Sequence, residues 1–483
     1  MKVATKDNNL LQKLEELKHS ILDETKKSDS RIKKLKPSNK KSAKNFIQYL
    51  SARKNDLRAI QDELHSLGLS SLASSESQFL DQLNQVIKWL KKEEIEILKS
   101  ANELSKNSNK LFGVPTNKFI PQIMVTYETD FAKDSEIIKA LIEEGMGIAR
   151  INCAHDNKEV WFEMITKTKS NATLCNKNCK IYMDLPGPKI RTIILGKGKK
   201  DKKVKLDIGA KFWLVEENTK FKSKEIVIGI SSEGIIKQLK KGETVLFDDG
   251  LFKAIIIETY HDKVELEVIR SSSKKGFLKE EKGINFPDTA LKLKSLTSYD
   301  EACLPFVLEN ADMLGYSFVQ NSEDVHKLYE TLSKLGKPNF PVILKIETKN
   351  AVLNLPDLIL TAMEYGSPAI MIARGDLAIE IGFERLSEIQ DEILWLCEAA
   401  HVPVIWATQV LENLNKTGFP TRSEVSDAAH ASMAECVMIN KGPHVIEAIT
   451  TLKAILNKNG RHHWKKRNMM RPLNIANQFF LKD

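Results

Sequence analysis

The 483-residue chain contains no uninterrupted apolar run of the roughly 18 residues that a membrane-spanning helix needs. Its first residues, Met1 to Asp7, also lack the apolar stretch that forms the centre of a secretory signal peptide. We therefore expect a cytoplasmic protein without a membrane partner.

Cysteine is scarce too, with six residues that lie mostly within apolar segments. Cys175 and Cys179 are close in sequence, but neither a second pair nor a histidine cluster completes a zinc site, so reduced core thiols are expected. The formal charge of +9 comes mostly from lysine, without interleaved aromatic residues or a nucleic-acid-binding motif. We predict no nucleic-acid partner and interpret residues 461–483 as a basic C-terminal tail.

Residues 1–118 show helical periodicity and little else. Three apolar stripes with spacings of three and four residues indicate amphipathic helices. The stripes run from Leu10 to Ile21, from Phe46 to Leu67 and from Phe79 to Leu90. Charged residues fill the outer faces, and no catalytic constellation is present. This pattern predicts a helical accessory domain for packing or partner contact.

From residue 120 onward, short apolar runs alternate with amphipathic helical stretches, which is typical of a parallel sheet with crossover helices. Eight such runs are present, and eight is the number of strands that closes a TIM barrel. We predict an α/β fold with a (β/α)8 barrel over residues 119–193 and 285–460. The predicted strands are Gln122–Thr126, Gly147–Asn152, Ile181–Asp184, Met313–Phe318, Val342–Glu347, Ala369–Ala373, Val404–Ala407 and Cys436–Ile439.

One segment interrupts this rhythm after the third predicted strand. Over about ninety residues the apolar positions alternate with period two, and turn residues such as Gly209 and Asp248–Gly250 separate the runs. We predict a small β-barrel domain inserted over residues 194–284. Inserted domains of this kind can act as lids over an active site.

Polar residues follow the predicted barrel strands, at the end where barrel enzymes carry their catalytic groups. Glu347 and Asp376 come from neighbouring strands and suit Mg²⁺ or Mn²⁺, which keep open positions for water and substrate oxygens. Arg150, Arg191 and Lys345 supply positive charge where phosphate oxygens would lie. Phosphoryl transfer needs such positioning and charge neutralisation.

Each of these signals has a simpler structural interpretation. A single strand-end Lys or Arg is more often a surface charge, and a lone Asp or Glu is more often a helix cap. Arg374 has a structural interpretation as the partner of an acid such as Glu347. The joint placement of the charged residues on successive strands favours a functional site.

The same residues belong to an ordered set of motifs that resembles the pyruvate kinase family. The set is highly specific and spans residues 120 to about 445. It comprises Gly145–Asn152, Met183–Thr192, Asp248–Gly250, Lys282–Pro287, Ser317–Phe318, Lys345–Glu347, Ala373–Glu380, Ala407–Leu411 and Pro420–Asp427.

This resemblance implies a glycolytic enzyme that converts phosphoenolpyruvate and ADP into pyruvate and ATP. It implies that Glu347 and Asp376 bind the divalent metal, which bridges to phosphoenolpyruvate. Lys345 would stabilise the phosphoryl group in transit. Arg150 would hold the substrate phosphate, with Arg191 assisting.

Further roles are implied for the substrate carboxylate and the nucleotide. The backbone at Gly375 and Asp376 would receive the carboxylate. Thr408 would lie near the enolate carbon that is protonated after transfer. Lys282 of the lid would approach the nucleotide phosphates, together with Arg191.

The chain departs from the family at the usual potassium site. Asn152 and Asp184 match the family, but Ala154 and Leu185 replace its hydroxyl residues. The family's common glutamate in the third-strand motif is Lys189 here. Because an ammonium group at this position can replace the monovalent cation, we predict no K⁺ requirement.

A second departure follows the eighth strand, where Asn440–His444 replaces the family's usual segment. The family's C-terminal regulatory domain is expected to be absent, together with its effector site. The chain then resembles a short subgroup with an extra helical N-terminal domain. The sequence leaves open whether the chain forms a homo-oligomer.

Two competing hypotheses stay open. The protein can be a catalytically reduced member that acts through its helical domain as a regulatory or interaction protein. It can also be a different phosphoenolpyruvate-using enzyme on the same barrel. The leading hypothesis is a working kinase, because every residue that the chemistry needs is present.

Overall fold

The structure is a computed structural model that describes residues 2–98, 102–115, 117, 120–217, 219, 225–272, 276–289, 291, 293–460, 463–464 and 467–468. Apart from two short strands, the predicted basic tail lies outside the described residues. Among the helices in the described ranges, none is both long and apolar enough to cross a membrane.

The N-terminal part is helical, as the sequence predicts. Leu14, Ile21 and Leu83 are fully buried, so the first and third predicted stripes face a core. The second stripe is divided between two helices, because one helix ends at Arg53 and the next begins at Arg58. In the turn between them, Asp56 accepts a hydrogen bond from the Arg58 backbone N–H. The helices are α1 (Lys2–Lys27), α2 (Asp29–Lys34), α3 (Pro37–Arg53), α4 (Arg58–Ser66), α5 (Phe79–Lys91) and α6 (Glu103–Phe112).

Strands and helices then alternate, with the predicted insertion after the third strand. The first barrel elements are β1 (Gln122–Thr126), α7 (Ser135–Glu144), β2 (Met146–Asn152), α8 (Lys158–Leu174) and β3 (Lys180–Asp184). The insertion contains β4 (Thr192–Ile194), β5 (Lys203–Lys205), β6 (Lys211–Glu216), β7 (Val227–Ile230), β8 (Thr244–Phe247), β9 (Phe252–Thr259), β10 (Lys263–Ser271), β11 (Phe277–Lys279) and β12 (Ile284–Asn285).

The chain then returns to the barrel. These elements are α9 (Ser298–Asn310), β13 (Met313–Tyr316), α10 (Ser322–Lys334), β14 (Val342–Ile346), α11 (Lys349–Leu353), α12 (Leu355–Tyr365), β15 (Ala369–Ala373), α13 (Arg374–Ile381), α14 (Leu386–Ala399), β16 (Val404–Ala407), α15 (Glu412–Thr417), α16 (Arg422–His430), β17 (Cys436–Ile439) and α17 (Val445–Asn459). Two short strands, β18 (His463–Trp464) and β19 (Arg467–Asn468), pair with each other near the C-terminus.

Eight parallel strands close into a barrel in the order β1-β17-β16-β15-β14-β13-β3-β2. The predicted (β/α)8 architecture is therefore confirmed. Each strand contributes apolar side chains to an interior cluster, for example Met124, Ile343 and Met438. Leu111 and Phe112 of α6 join this cluster, and Gln122 at the start of β1 donates to the Gly113 carbonyl. The end of α6 therefore closes the barrel at the N-terminal end of its strands.

The insertion forms its own β domain. Seven strands are ordered β12-β8-β9-β10-β6-β7-β4, beside a two-stranded β11-β5 sheet. A bridge between Arg191 and Gly283 joins the two edge strands, and Ile284 N donates to Ile190 O at 2.9 Å. The sheet thus closes on itself around a separate apolar core, as expected for a small barrel.

The helical N-terminal region docks directly on the outer helices of the barrel. Asn39 donates to the carbonyls of Met363 and Gly366 at 2.8 and 2.6 Å. The buried His401 ring lies 2.9 Å from both Ser42 Oγ and the Ser77 carbonyl. Apolar residues of both regions belong to one continuous core. The two regions therefore pack as parts of one folded unit.

Lowering the pH should weaken this docking through His401. Burial lowers the pKa of its imidazole below the ordinary value of 6.5. The unfolded chain therefore takes up this proton at a higher pH than the folded protein does. We expect the free energy of unfolding to fall as the pH decreases below 6.5, toward the lower folded-state pKa. Urea unfolding at a series of pH values measures this slope.

His401→Gln is the control, because glutamine keeps hydrogen-bonding atoms but does not titrate in this range. Its unfolding free energy should depend less steeply on pH than that of the wild type. Identical slopes would show that His401 does not carry the pH dependence.

Candidate active site

A buried ionic network connects three strand ends of the barrel. Arg150 at the end of β2 donates to Asp184 Oδ2 from Nε and Nη2, at 3.0 and 2.7 Å. Lys345 of β14 lies 3.2 Å from the same oxygen. Arg150 also donates to Thr126 Oγ1 at 2.9 Å. Asp184 therefore holds two of the predicted phosphate-binding cations in place.

The strand between them makes this network possible. β13 lies between β3 and β14, and its Gly315 is paired in register with Asp184. A Cβ at Gly315 would lie 2.1 Å from Tyr182 Oη and 2.4 Å from Asp184 Oδ1. The missing side chain leaves the space in which the Asp184 carboxylate and the Tyr182 hydroxyl lie.

Lys345 and Glu347 form the next part of the site. Lys345 Nζ donates to Ser317 Oγ at 2.6 Å and lies 3.2 Å from Glu347 Oε1. Glu347 Oε2 accepts a hydrogen bond from the Phe318 backbone N–H at 2.7 Å. Lys345 and Glu347 thus face the same side of the site, as the alternation along the strand predicts.

Burial and charge pairing set the protonation states of this network. Burial alone would raise the pKa of Asp184, but the Lys345 and Arg150 cations lower it below its usual value. Burial would lower the pKa of Lys345, but Asp184 and Glu347 raise it. Both groups are therefore charged at neutral pH. For Glu347, burial and the neighbouring Asp376 outweigh Lys345 and raise the pKa.

Asp376 comes from the first turn of α13 and is paired with Lys189. The Lys189 ammonium lies 2.9 and 3.0 Å from the two carboxylate oxygens of Asp376. Asp249 of the inserted domain lies near this pair. Burial raises its pKa, the Lys189 charge lowers it, and the Asp376 charge raises it further. Lys282 of the insertion pairs with Asp248 at 2.8 Å. The lid domain thus contributes charged residues beside the barrel carboxylate.

Thr408 follows β16 in a left-handed backbone conformation, with φ of 64°. Its Oγ1 accepts a hydrogen bond from Gly375 N at 2.8 Å, so the predicted carboxylate-binding residues and Thr408 are in contact. Non-glycine residues in this conformation store strain and are common at active sites. The structure thus connects the β15 and β16 ends of the site.

Arg374 is a structural residue, but the proposed pairing with Glu347 is wrong. Its guanidinium donates to both carboxylate oxygens of Asp427, to Ala407 O at 3.0 Å and to Thr408 O at 2.6 Å. It also lies 4.7 Å from the centroid of the Trp406 ring. Asp427 lies on α16, and nothing in the linear spacing indicates that this helix returns to Arg374.

The other predicted residues occupy the edge of the site. Arg191 Nη1 donates to the Glu281 carbonyl at 2.9 Å, next to the bridge that closes the lid domain. Asn152 Oδ1 accepts from Ala154 N at 3.0 Å. Lys189 pairs with Asp376, whereas Asp184 pairs with Arg150 and Lys345. Direct side-chain contacts therefore do not connect Asn152, Asp184 and Lys189, the predicted monovalent-cation group.

A cavity of about 330 Å³ adjoins Arg150. His155, Lys416 and Lys441 line it. The pKa of His155 is lowered by burial and by the positive charges of Lys441, Arg191 and Arg150, which shows that these cations lie near one another. Asp156 and Glu412 line the same cavity, and Lys416 pairs with Glu412 at 2.6 Å, so its walls carry charges of both signs. The sequence analysis predicted Arg150 and Asn152 but missed His155, Lys416 and Lys441, which follow three different strands.

Glu347 and Asp376 suit a divalent metal that also uses substrate oxygens. The two carboxylates are close enough for Asp376 to raise the pKa of Glu347, and both face cations that phosphate would also use. In the part of the chain that the structure describes, no group of three or more His, Cys, Asp or Glu residues could hold a metal. Two carboxylates with open positions fit Mg²⁺ or Mn²⁺ better than a closed protein cage.

The residues of this site lie within a region that a family model recognises. The model described as "Pyruvate kinase, barrel domain" matches residues 122–443. The chain belongs to the pyruvate kinase family. The match begins at β1, so the helices α1 to α6 lie outside it.

Three curated members of the pyruvate kinase family illustrate the similarity. The chain is 34% identical over 327 residues to the pyruvate kinase of Thermotoga maritima, and this matched region covers 66% of this chain and 67% of that protein. It is 32% identical to that of Clostridium acetobutylicum over 333 residues, or 67% of each chain. For the pyruvate kinase of Bacillus licheniformis the identity is 30% over 330 residues, 67% of this chain and 54% of the relative. The chain thus spans about half to two thirds of these pyruvate kinases.

Gly315→Ala should disrupt the site of this pyruvate kinase family member. The added Cβ would lie 2.1 Å from Tyr182 Oη and 2.4 Å from Asp184 Oδ1, too close for either contact. Both neighbours are buried, so relief requires movement of the barrel interior. We expect the free energy of unfolding to fall by about 1–3 kcal/mol. Chemical denaturation measures the change.

Gly366→Ala is the matched control. Its Cβ would meet open space, and its φ of −175° suits any residue. We expect its free energy of unfolding to change by less than about 0.5 kcal/mol. If Gly315→Ala were equally neutral, the close packing around Asp184 would be contradicted.

Proposed function

We propose that the protein transfers the phosphoryl group of phosphoenolpyruvate to ADP and releases pyruvate and ATP. The observation that carries this proposal is the ionic network of Arg150, Asp184, Lys345 and Glu347, within the region that matches the pyruvate kinase barrel. The network brings fixed cations and carboxylates together at one end of the barrel. Such preorganised charge is the main requirement of phosphoryl transfer.

Arg150 and Lys345 would hold the substrate phosphate from two directions. Asp184 holds both cations through one oxygen, so neither needs to reorganise during the reaction. The Lys345 ammonium would stabilise the charge of the phosphoryl group as it leaves the enol oxygen. Preorganised donors that meet developing charge lower the barrier to transfer.

Glu347 and Asp376 would hold the divalent metal, which we propose to be Mg²⁺ or Mn²⁺. When bound, such an ion neutralises charge on the phosphoryl and enol oxygens. Lys189 contacts Asp376 directly, so it would lie next to the ion. Family membership supports a divalent requirement in general, and the choice of metal rests on the oxygen-only ligand set.

The substrate carboxylate would bind at the start of α13, where Gly375 and Asp376 lie in the first helical turn. Thr408 lies beside them and would approach the enolate carbon from the β16 side. The hydrogen bond between Gly375 N and Thr408 Oγ1 keeps these two positions together. Thr408 would therefore position the proton donor for pyruvate formation.

ADP would approach through the cationic rim of the site. Lys282 on the lid and Arg191 at its base are proposed to contact nucleotide phosphates. Lys441 lines the cavity next to Arg150 and would add positive charge near the substrate phosphate. Movement of the lid would bring Lys282 and the barrel residues onto the same nucleotide.

Lys345→Met should remove most of the activity. Methionine preserves the aliphatic length but removes the ammonium that compensates Asp184 and the transferred phosphoryl group. We expect kcat/KM to fall by about 10²–10³-fold or more. A coupled pyruvate assay with phosphoenolpyruvate, ADP and Mg²⁺ measures this.

The exposed Lys337→Met is the control for loss of a lysine charge, and its kcat/KM should equal that of the wild type. Wild-type protein that binds metal without turnover would contradict the kinase proposal and favour the regulatory alternative. Pyruvate formation without ADP would favour a different phosphoenolpyruvate-using enzyme.

Activity should not require K⁺. We propose that the Lys189 ammonium supplies the charge of the usual monovalent cation. Replacing KCl by a bulky organic chloride at equal ionic strength should therefore leave the rate unchanged. A many-fold increase with KCl would contradict the proposal.

Lys189→Met tests the ammonium itself. Its rate should be low without K⁺ and partly restored by KCl, because the added ion can compensate the missing charge. A variant that is inactive at every KCl concentration would show that Lys189 acts only through Asp376.

A further inference from the structure

The loop that follows β16 has an unusual backbone conformation. Thr408, Gln409 and Leu411 have left-handed φ values of 64°, 58° and 49°. Residues other than glycine keep such values only where surrounding contacts enforce them, and they are frequent at active sites. The loop bears Thr408, the residue proposed above to lie beside the enolate carbon. The contacts that hold this loop therefore determine where the Thr408 hydroxyl lies.

Arg374, the first residue of α13, provides two of these contacts. Its Nε donates to Ala407 O at 3.0 Å, and its Nη2 donates to Thr408 O at 2.6 Å. The side chain is only 8% exposed, and its guanidinium lies 4.7 Å from the centroid of the Trp406 ring. One buried arginine thus binds the last carbonyl of β16 and the first carbonyl of the loop.

Asp427 holds the guanidinium from a second direction. One of its carboxylate oxygens accepts a hydrogen bond from Arg374 Nη1, and the other accepts one from Nη2. Asp427 lies on α16, and His430, one turn later on the same helix, packs against the Trp406 ring with centroids 5.2 Å apart. The two-bond geometry of an arginine–carboxylate pair fixes the plane of the guanidinium. The helix α16 therefore determines how Arg374 meets the loop.

Gly375, the next residue after Arg374, fixes the Thr408 side chain. Its backbone N–H donates to Thr408 Oγ1 at 2.8 Å. This bond occupies a lone pair of the oxygen, so the hydroxyl hydrogen stays available for another partner. Arg374 and Gly375 together thus hold the backbone and the side chain of one residue, with its hydroxyl able to donate.

We propose that Arg374, held by Asp427, is a positioning residue for protonation of the enolate and acts through Thr408. This inference rests on the proposed function. Once the phosphoryl group has left, the carbon–carbon double bond of the enolate supplies the electron pair for the new C–H bond, and the enolate oxygen becomes the keto oxygen of pyruvate. The proton comes from a donor that Thr408 positions and is replaced from water. Loss of the Arg374 contacts would let the loop relax and move this donor away from the carbon.

Arg374→Lys tests the inference. Lysine keeps the positive charge opposite Asp427, but its ammonium cannot reproduce the four hydrogen bonds of the planar guanidinium. We expect kcat to fall by about tenfold or more, because the donor no longer faces the carbon. The KM for phosphoenolpyruvate should stay within about twofold of the wild-type value, because the Arg150 and Lys345 contacts do not change. Exchange of the pyruvate methyl protons in D2O, followed by NMR with ATP and Mg²⁺ present, should slow as well, since it runs the same step in reverse.

A double-variant comparison shows whether Arg374 acts through Thr408. Thr408→Val keeps the shape of the side chain but removes the hydroxyl, and should lower kcat by about 10–100-fold. In this background Arg374→Lys should lower kcat by less than about twofold, because the group that it positions is already absent. A purely structural role would give the same fold-loss in both backgrounds. Equal losses would therefore overturn the proposal.

Two further variants complete the experiment. Arg385→Lys makes the same substitution at an exposed arginine that pairs with Glu388 at 3.4 Å, and should leave kcat at the wild-type value. Asp427→Asn keeps the size of the side chain but weakens the pair, so kcat should also fall, and this variant carries the test if Arg374→Lys does not fold. Wild-type kcat in Arg374→Lys or in Asp427→Asn, or an equal loss in Arg385→Lys, would overturn this inference alone. Wild-type protein that forms no pyruvate would overturn the proposed function and this inference together.

Discussion

The site depends on one buried carboxylate, that of Asp184, which lies between the Arg150 and Lys345 cations. A charge buried this deeply is tolerated only when it is paired, and removing one partner of such a group typically costs about 3–5 kcal/mol. The two cations are therefore held in place before any substrate arrives. Because the three residues lie on β2, β3 and β14, the network requires these strands and the intervening β13 to lie side by side. Gly315 on β13 must also remain without a side chain.

Around this centre, the structure places further charged groups at the mouth of the barrel. Lys189 and Asp376 pair at the mouth of the barrel, and Asp249 and Lys282 approach from the inserted domain. These charges come from a loop, from the first turn of α13 and from the inserted domain, which has its own core. The mouth is therefore built from parts of the chain that only the folded barrel brings together.

The helical N-terminal region is joined to the barrel by a common apolar core and by specific polar contacts. Asn39, Asn45 and His401 each connect the two regions through buried hydrogen bonds. Buried polar groups are costly when unpaired, so these contacts fix one docking arrangement. A cavity lined by Arg53 and Trp395 also lies at this junction.

The sequence by itself determined the barrel, the inserted β domain, the helical region and the identities of the strand-end charges. These features follow from the spacing of apolar residues within each segment and from the order of the segments along the chain. It did not predict the partners of those charges. Arg374 pairs with Asp427 on a distant helix, Lys189 pairs with Asp376, and Tyr182 and Gly315 shape the space around Asp184. One apolar stripe is likewise divided between α3, which ends at Arg53, and α4, which begins at Arg58. Only the tertiary structure decided these pairings, since they depend on which strands become neighbours when the barrel closes and on how the loops return to its mouth.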